Sequence, residues 1–192
     1  SRSRNRSNSS RSSRSSRSSR TSSSRNSRLQ VYTTNEWATE DAMNVAETIN
    51  QTVANYQITA RDKKLYLHSE LSLGTLNVQG NKDLLLQVLI NLVGNALKFT
   101  YSKGEVVIRA YHINNKKIRI EIVDTGVGIV YGYQQSIFQR FYRIENEVHT
   151  LKGTGLGLSI VDTILGELKT EIHVVSRYGI GSTFWFDLLK IL

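Results

Sequence analysis

The chain of 192 residues has no cysteine and no proline, one methionine and two tryptophans. Without cysteine there is neither a disulfide framework nor a thiolate metal site. At the usual proline content of about 5%, the part of the chain beyond its N-terminal segment would carry about eight; here every turn is made by other residues. Acidic residues are missing from the first 28 positions, which hold nine Arg, fifteen Ser, three Asn and one Thr. No run approaches the roughly 18 apolar residues of a membrane span, and there is no signal-peptide core. The first residue is not Met, so a fragment of a longer protein is expected.

What is present divides at Leu29. The formal charge of +9 lies wholly in residues 1–28, because residues 29–192 balance sixteen Lys+Arg against sixteen Asp+Glu. The basic pI therefore gives no support for nucleic-acid binding by the remainder. Residues 1–28 have no apolar side chain to offset the entropy of ordering, which predicts a disordered Arg/Ser-rich tail. Arg-Ser-Ser repeats between positions 11 and 20 fit an RNA-contacting or phosphorylatable segment, a transit-peptide composition or an expendable linker, and the linker is the favoured reading. The remaining 164 residues suffice for one domain with a core.

Hydrophobic periodicity predicts a helix over 41–60, a strand over 64–71 and a helix over 82–100, capped by Asn81 or Asp83. Residues 105–113 and 116–123 read as strands joined by a two-residue turn at Asn114-Asn115. A glycine-punctuated stretch, a short helix over 134–143, a helix over 156–168 and strands over 171–176 and 182–188 follow. The hairpins require an at least partly antiparallel sheet, and the helices then cover one face of it. The fold class is a two-layer α/β (α+β) sandwich: a mixed, largely antiparallel sheet of about five strands under about three helices.

Three places carry chemistry. Within the apolar helix KDLLLQVLINLVGNALKFT, the polar residues Gln87, Asn91, Asn95 and Lys98 fall at steps of four, four and three, on one face. Such a helix should be buried, and buried amides and ammonium groups need partners. Backbone-bonded amides with a snorkelling Lys satisfy that need, and so does an anion with its metal ion. The second place is Val123-Asp124-Thr125-Gly126-Val127-Gly128-Ile129, an acid at a strand end with the backbone cleared around it. It fits either an Asx-type turn or an acceptor for a ligand amino group. The third is Gly153-Thr154-Gly155-Leu156-Gly157-Leu158, which opens into a helix and offers backbone N–H groups to an anion. It lacks the Lys-Ser/Thr of a P-loop and the preceding strand of a dinucleotide turn.

Taken in order, these segments resemble the ATP-binding catalytic domain of sensor histidine kinases, within the gyrase, heat-shock-90, histidine-kinase and MutL superfamily. Asn91-Leu-Val-Gly-Asn95-Ala-Leu-Lys98-Phe is similar to the family's N box, and Asp124-Thr-Gly126-Val-Gly128-Ile to its G1 box. Phe138-Gln-Arg-Phe141-Tyr-Arg143 resembles the F box, Gly153-Thr-Gly155-Leu-Gly157-Leu the G2 box, and Gly179-Ile-Gly181-Ser-Thr183-Phe the closing Gly-rich strand entry. The resemblance covers residues 40–190, and its wording is similar to stress-sensing kinases of cyanobacteria and red-algal plastids.

The resemblance implies ATP and Mg²⁺ as ligands. Asn95 is then the metal ligand, Asn91 and Lys98 face the phosphates, and Gln87 marks the stripe's solvent end. Asp124 accepts from the adenine amino group, Thr183 supports that contact through water, and Gly126 and Gly128 admit the purine. Gly153, Thr154, Gly155, Leu156, Gly157 and Leu158 form the lid hinge and present N–H groups to phosphate. Arg143 lies near the phosphates, Phe138 and Phe141 anchor the lid or simply pack in the core, and Arg140 is a surface charge. Residues 29–40 are a linker or the remnant of a dimerisation helix, and 41–192 the catalytic domain.

The phospho-acceptor His is expected on a dimerisation domain outside the chain, because His68, His112, His149 and His173 lie in strands or the lid. Implied partners are that domain, a response regulator receiver domain and a second copy in a full-length homodimer. The implied setting is the cytoplasmic or plastid-stromal side of a membrane-anchored sensor. The alternatives are a non-catalytic nucleotide-binding or scaffold domain and nucleic-acid binding through the tail. Departures from the family pattern fall in turns: Val130 and Leu189 replace Pro, and Glu167-Leu168-Lys169-Thr170 replaces a Gly-rich turn. They bear on stability rather than on binding.

Overall fold

A computed structural model of the chain describes residues 42–143 and 154–191. In chain order the elements are β1 (Ala42–Asn44), α1 (Val45–Asp62), β2 (Tyr66–Leu71), β3 (Asn77–Gln79), α2 (Lys82–Phe99), β4 (Glu105–His112), β5 (Lys117–Asp124), α3 (Gly157–Glu167), β6 (His173–Arg177) and β7 (Gly181–Leu189). Single 3₁₀ turns lie at Tyr131–Tyr133 and Ser136–Phe138. Five strands form one sheet in the order β2-β4-β5-β7-β6. Only the β2–β4 pair is parallel.

Strand alternation decides the layering. Ile118, Ile120 and Ile122 of β5 and Phe184, Phe186 and Leu188 of β7 point to the buried side with Val106, Ile108 and Ala110. Against them pack Leu85, Val88, Leu89, Leu92 and Val93 of α2, with Ile49 of α1 and Val161 and Leu165 of α3. The opposite side carries ion pairs and aromatic contacts. Arg119 reaches Asp187 at 2.8 Å and lies 3.7 Å over the Trp185 ring, and Arg109 meets Glu70 at 2.6 Å. This is the expected two-layer sandwich.

Local chemistry sets the helix starts. The Asn44 side chain accepts from the N–H groups of Ala46 and Glu47, and the Asn81 side chain from those of Asp83 and Leu84. Of the two candidate caps for α2, Asn81 is the one used. The Asn44 cap also corrects the expected helix over 41–60: its first residues are β1, which pairs with β3 in a separate antiparallel ribbon.

Three further expectations change. Residues 134–143 hold no α-helix. The chain turns twice in short 3₁₀ arcs and then enters a left-handed backbone at Phe141 (φ 63). The β4–β5 connection spans 113–116 rather than two residues, because the Asn114 side chain takes the N–H groups of both Lys116 and Lys117. Finally, α2 is not buried all round: Gln87 is exposed and Ile90 is 38% exposed.

Candidate functional site: a cleft between α2, α3 and the end of β5

A cleft of about 510 Å³ lies between α2, α3 and the sheet. It brings together Asn91, Asn95, Lys98, Asp124, Gly128, Arg143, Thr154, Gly155, Leu156, Gly157 and Leu158. Val127, Ile129, Ile137, Ile160 and Phe184 supply an apolar wall. Stripe, strand end and glycine loop thus converge on one space, although they are spread along the chain.

At one end sits the Asp124 carboxyl, 7% exposed. One of its oxygens accepts from the Gly126 N–H at 2.8 Å, and the Ser182 backbone N–H also bonds it. Burial pushes its pKa up to about 6 against these two bonds. The Asx-type turn is therefore real, and the same carboxyl also lines the cleft. The two neighbouring glycines answer to protein packing. A Cβ on Gly126 would stand 2.5 Å from the Phe99 carbonyl oxygen, and one on Gly128 (φ +66) would collide with the Arg177 carbonyl. Gly128 is thus required by the close approach of the β6–β7 turn, and its backbone also lines the cleft.

The other end is polar and half-exposed. The Asn91 amide nitrogen donates to the Gln87 carbonyl at 2.8 Å, so for this residue the backbone-bonded reading holds. Its oxygen faces Gly157, where a Cβ would come within 3.1 Å. The Asn95 amide bonds no protein group among the described residues. Lys98 is paired with no carboxylate among the described residues; its ammonium lies 4.8 Å from the Phe99 ring centroid. Burial, then the charges of Arg143 and Lys63, lower its pKa. At the start of α3, Leu156 gives no side-chain cap, and no described side chain takes the first N–H groups, whose residues Gly157 and Leu158 line the cleft. Gly155 takes φ +72 and its carbonyl accepts from the Phe141 N–H at 3.0 Å, tying the F box to the glycine loop.

Some expected residues fall elsewhere. Thr183 does not line the cleft. Its side chain points to the other side of the sheet, between Val123 and Val175 in register. Ser182, directly across from Asp124, lines it instead. The alternation Ser182, Phe184, Phe186, Leu188 carried that signal, because the three apolar residues mark the inner side. Phe138 packs on Phe184, rings at 6.4 Å and 83°, whereas Phe141 is 72% exposed. Arg140 is exposed, as expected. Gly153 and His149 lie outside the described residues. His68 stands near Glu70 and Glu105, and His173 stacks on Trp185. No group of three or more His, Cys, Asp or Glu among the described residues could hold a metal ion.

The cleft thus sets a buried acceptor, Asp124, against Asn95 and Lys98, which bond no protein acceptor among the described residues. Residues 80–191 match the model of the histidine kinase-, DNA gyrase B-, and HSP90-like ATPase family, and the chain belongs to it. Within that family it is an ATP-binding catalytic domain of the sensor-histidine-kinase type. It is 48% identical over 157 residues to drug sensory protein A of Synechocystis sp., covering 77% of this chain and 24% of that protein. It is also 48% identical over 160 residues to the uncharacterized sensor-like histidine kinase ycf26 of Pyropia yezoensis, with the same coverage of 77% and 24%. Full-length ShkA in complex with AMPPNP is similar in structure, with a TM-score of 0.69 and 26% identity over 79% of this chain and 31% of that one. The chain spans about a quarter of the length of these two curated relatives. No helix among the described residues is long and apolar enough to cross a membrane.

Proposed function

We propose that this domain binds Mg-ATP in the cleft and delivers the γ-phosphate to a His on a dimerisation domain. The observation that carries the reading is one shared space with a buried carboxyl acceptor at Asp124 and donors at Asn95 and Lys98 that bond no protein acceptor among the described residues. An adenine amino group supplies hydrogen to the carboxylate. Phosphate oxygens supply acceptors to Lys98, Arg143 and the open N–H groups at the start of α3. Asn95 would hold Mg²⁺ through its amide oxygen, a hard ligand for a hard ion. When bound, Mg²⁺ neutralises charge on the phosphate chain. The chain's own part is to hold the nucleotide in line and screen it from water.

The natural partners under this reading are a dimerisation domain bearing the acceptor His, a second copy of the full-length protein and a response regulator receiver domain. The setting is the cytoplasmic or stromal side of a membrane-anchored sensor. Calorimetry with AMPPNP and Mg²⁺ tests the site. Binding should weaken at least about tenfold in Asp124→Asn and in Asn95→Ala, and unchanged affinity in both sinks the assignment. Labelled-phosphate transfer to an added dimerisation domain tests the reaction.

A further inference from the structure

Behind the base end of the cleft lies a hydroxyl that does not line it. Ser176, in β6, stands across from Ser182 in register. Its Oγ receives the Ile129 N–H at 2.7 Å, lies 2.9 Å from the Gly181 carbonyl oxygen and lies 3.0 Å from Ser182 Oγ. The Gln134 side-chain amide closes the same corner, donating to the carbonyls of Ile129 at 3.1 Å and Ser176 at 2.8 Å. Four elements of the base end therefore meet on one serine: the loop after β5, the 3₁₀ turn, β6 and the start of β7.

Counting protons fixes the direction of each bond. Ser176 has one hydrogen and two acceptor sites. Gly181 offers only a carbonyl, so the 2.9 Å contact requires the Ser176 hydrogen. The 3.0 Å contact then needs a hydrogen from Ser182, because Ser176 has none left. With the Ile129 N–H, Ser176 accepts two bonds and donates one, and is saturated. The consequence falls on Ser182: its only hydrogen points away from the cleft, so toward the cleft it presents lone pairs alone. It stands beside the Asp124 carboxylate, another acceptor.

We infer that Ser176 is a positioning residue for base selection: it fixes Ser182 Oγ as a second acceptor beside Asp124, matching the two hydrogens of an exocyclic amino group. The inference rests on the adenine-nucleotide reading above. A base with a carbonyl at that position meets two acceptors and no donor, which is unfavourable in a site this buried. Without the Ser176 hydroxyl, the Ser182 hydrogen is free to turn toward the cleft and serve a carbonyl.

ADP and IDP differ at that position of the base, amino against carbonyl, and also at N1, an acceptor in adenine and an N–H donor in hypoxanthine, so the change in the ratio of their dissociation constants between variants isolates the effect. Calorimetry on the full 192-residue chain should show a strong preference for ADP. Ser176→Ala should cut the preference about five- to tenfold, and Ser176→Thr, which keeps the hydroxyl, should restore it. Because Ser176 acts through Ser182, Ser176→Ala combined with Ser182→Ala should show the same preference as Ser182→Ala alone. A general loosening of the fold would lower both affinities and the unfolding temperature without moving the ratio, and that result overturns the inference. So does a double variant in which the two losses multiply. If Asp124→Asn removes the preference while Ser176→Ala leaves it intact, the adenine reading stands and the role of Ser176 fails. If the unaltered chain binds both nucleotides equally or neither, the adenine reading fails and the inference with it.

Discussion

The two ends of the cleft are finished to different degrees. At the base end, every polar group already has protein partners: Asp124 holds Gly126 and Ser182, Ser176 holds Ile129, Gly181 and Ser182, and Gln134 clamps Ile129 to β6. At the phosphate end, Lys98 has no carboxylate among the described residues, the Asn95 amide bonds no protein group among them, and α3 starts without a side-chain cap. One end is held in place by bonds within the protein. At the other, burial and the charges of Arg143 and Lys63 oppose the Lys98 ammonium, which meets no carboxylate among the described residues. Substitutions at the base end should therefore change stability and selectivity together, in either direction. At the phosphate end they should separate, with weaker binding and an undiminished fold.

The largest expected effect is at Gly128. Its φ of +66 and the approach of the Arg177 carbonyl leave no room for a side chain. Gly128→Ala should cost on the order of 3 kcal/mol or more, read from denaturant unfolding, with nucleotide binding lost in parallel. Asp124 comes next, and its two effects have opposite pH dependence. Burial holds the folded pKa near 6, above the ordinary 3.8. The protonated form is thus favoured in the fold, and that stabilisation is fully present below about pH 3.8 and lost as pH rises through about 6. Above pH 6 the buried carboxylate costs about 3 kcal/mol. Asp124→Asn should therefore gain on the unaltered chain by up to about that amount between pH 4 and 7. Affinity for ADP runs the other way. It needs the ionised oxygen, so in the unaltered chain it should weaken below about pH 6 more than in Asp124→Asn. The titration of ADP itself is common to both.

Lys98 tests the other half of the comparison. Burial and the charges of Arg143 and Lys63 all oppose its ammonium. Lys98→Met should lower ADP affinity about tenfold and flatten its salt dependence, with an unfolding temperature equal or higher. A fall in stability to match the fall in affinity would mean that the charge is already balanced in the empty cleft, and the contrast between the two ends would disappear.

The phosphate end was the more legible of the two in the sequence. Asn91, Asn95 and Lys98 sit on one helix, and a local period of 3.6 is enough to place them together. The base end depends on which strands pair and in what register. Residue 182 rather than 183 faces the cleft because Phe184, Phe186 and Leu188 fix the inner side of β7, a pattern the sequence contains. The hydroxyl at Ser176 is different: it matters only because β6 pairs with β7 and the loop after β5 folds back on both. The ribbon of β1 and β3 was invisible for a related reason, since three-residue strands joined across an intervening helix and strand carry no period. Glycine was legible as a residue but only in part as a role. Gly128 lines the cleft and also marks where two stretches of backbone touch, and a one-dimensional pattern does not show the second.

The smallest expected effect lies outside both ends and calibrates them. Lys169 follows α3 with φ 58, its N–H donating to the Gly166 carbonyl and that of Thr170 to the Leu165 carbonyl. This is the helix-ending geometry that favours glycine, at the place where the sequence departs from the Gly-rich turn of its family. The left-handed backbone costs a lysine more than the lost chain entropy costs a glycine, so Lys169→Gly should stabilise the domain by about 1 kcal/mol. The residue does not line the cleft, so affinity for ADP and the ADP-to-IDP preference should stay unchanged. If this gain in global stability nevertheless tightened binding, the cleft would be coupled to the whole fold. Losses seen at Gly128 or Asp124 could then no longer be assigned to the base end itself.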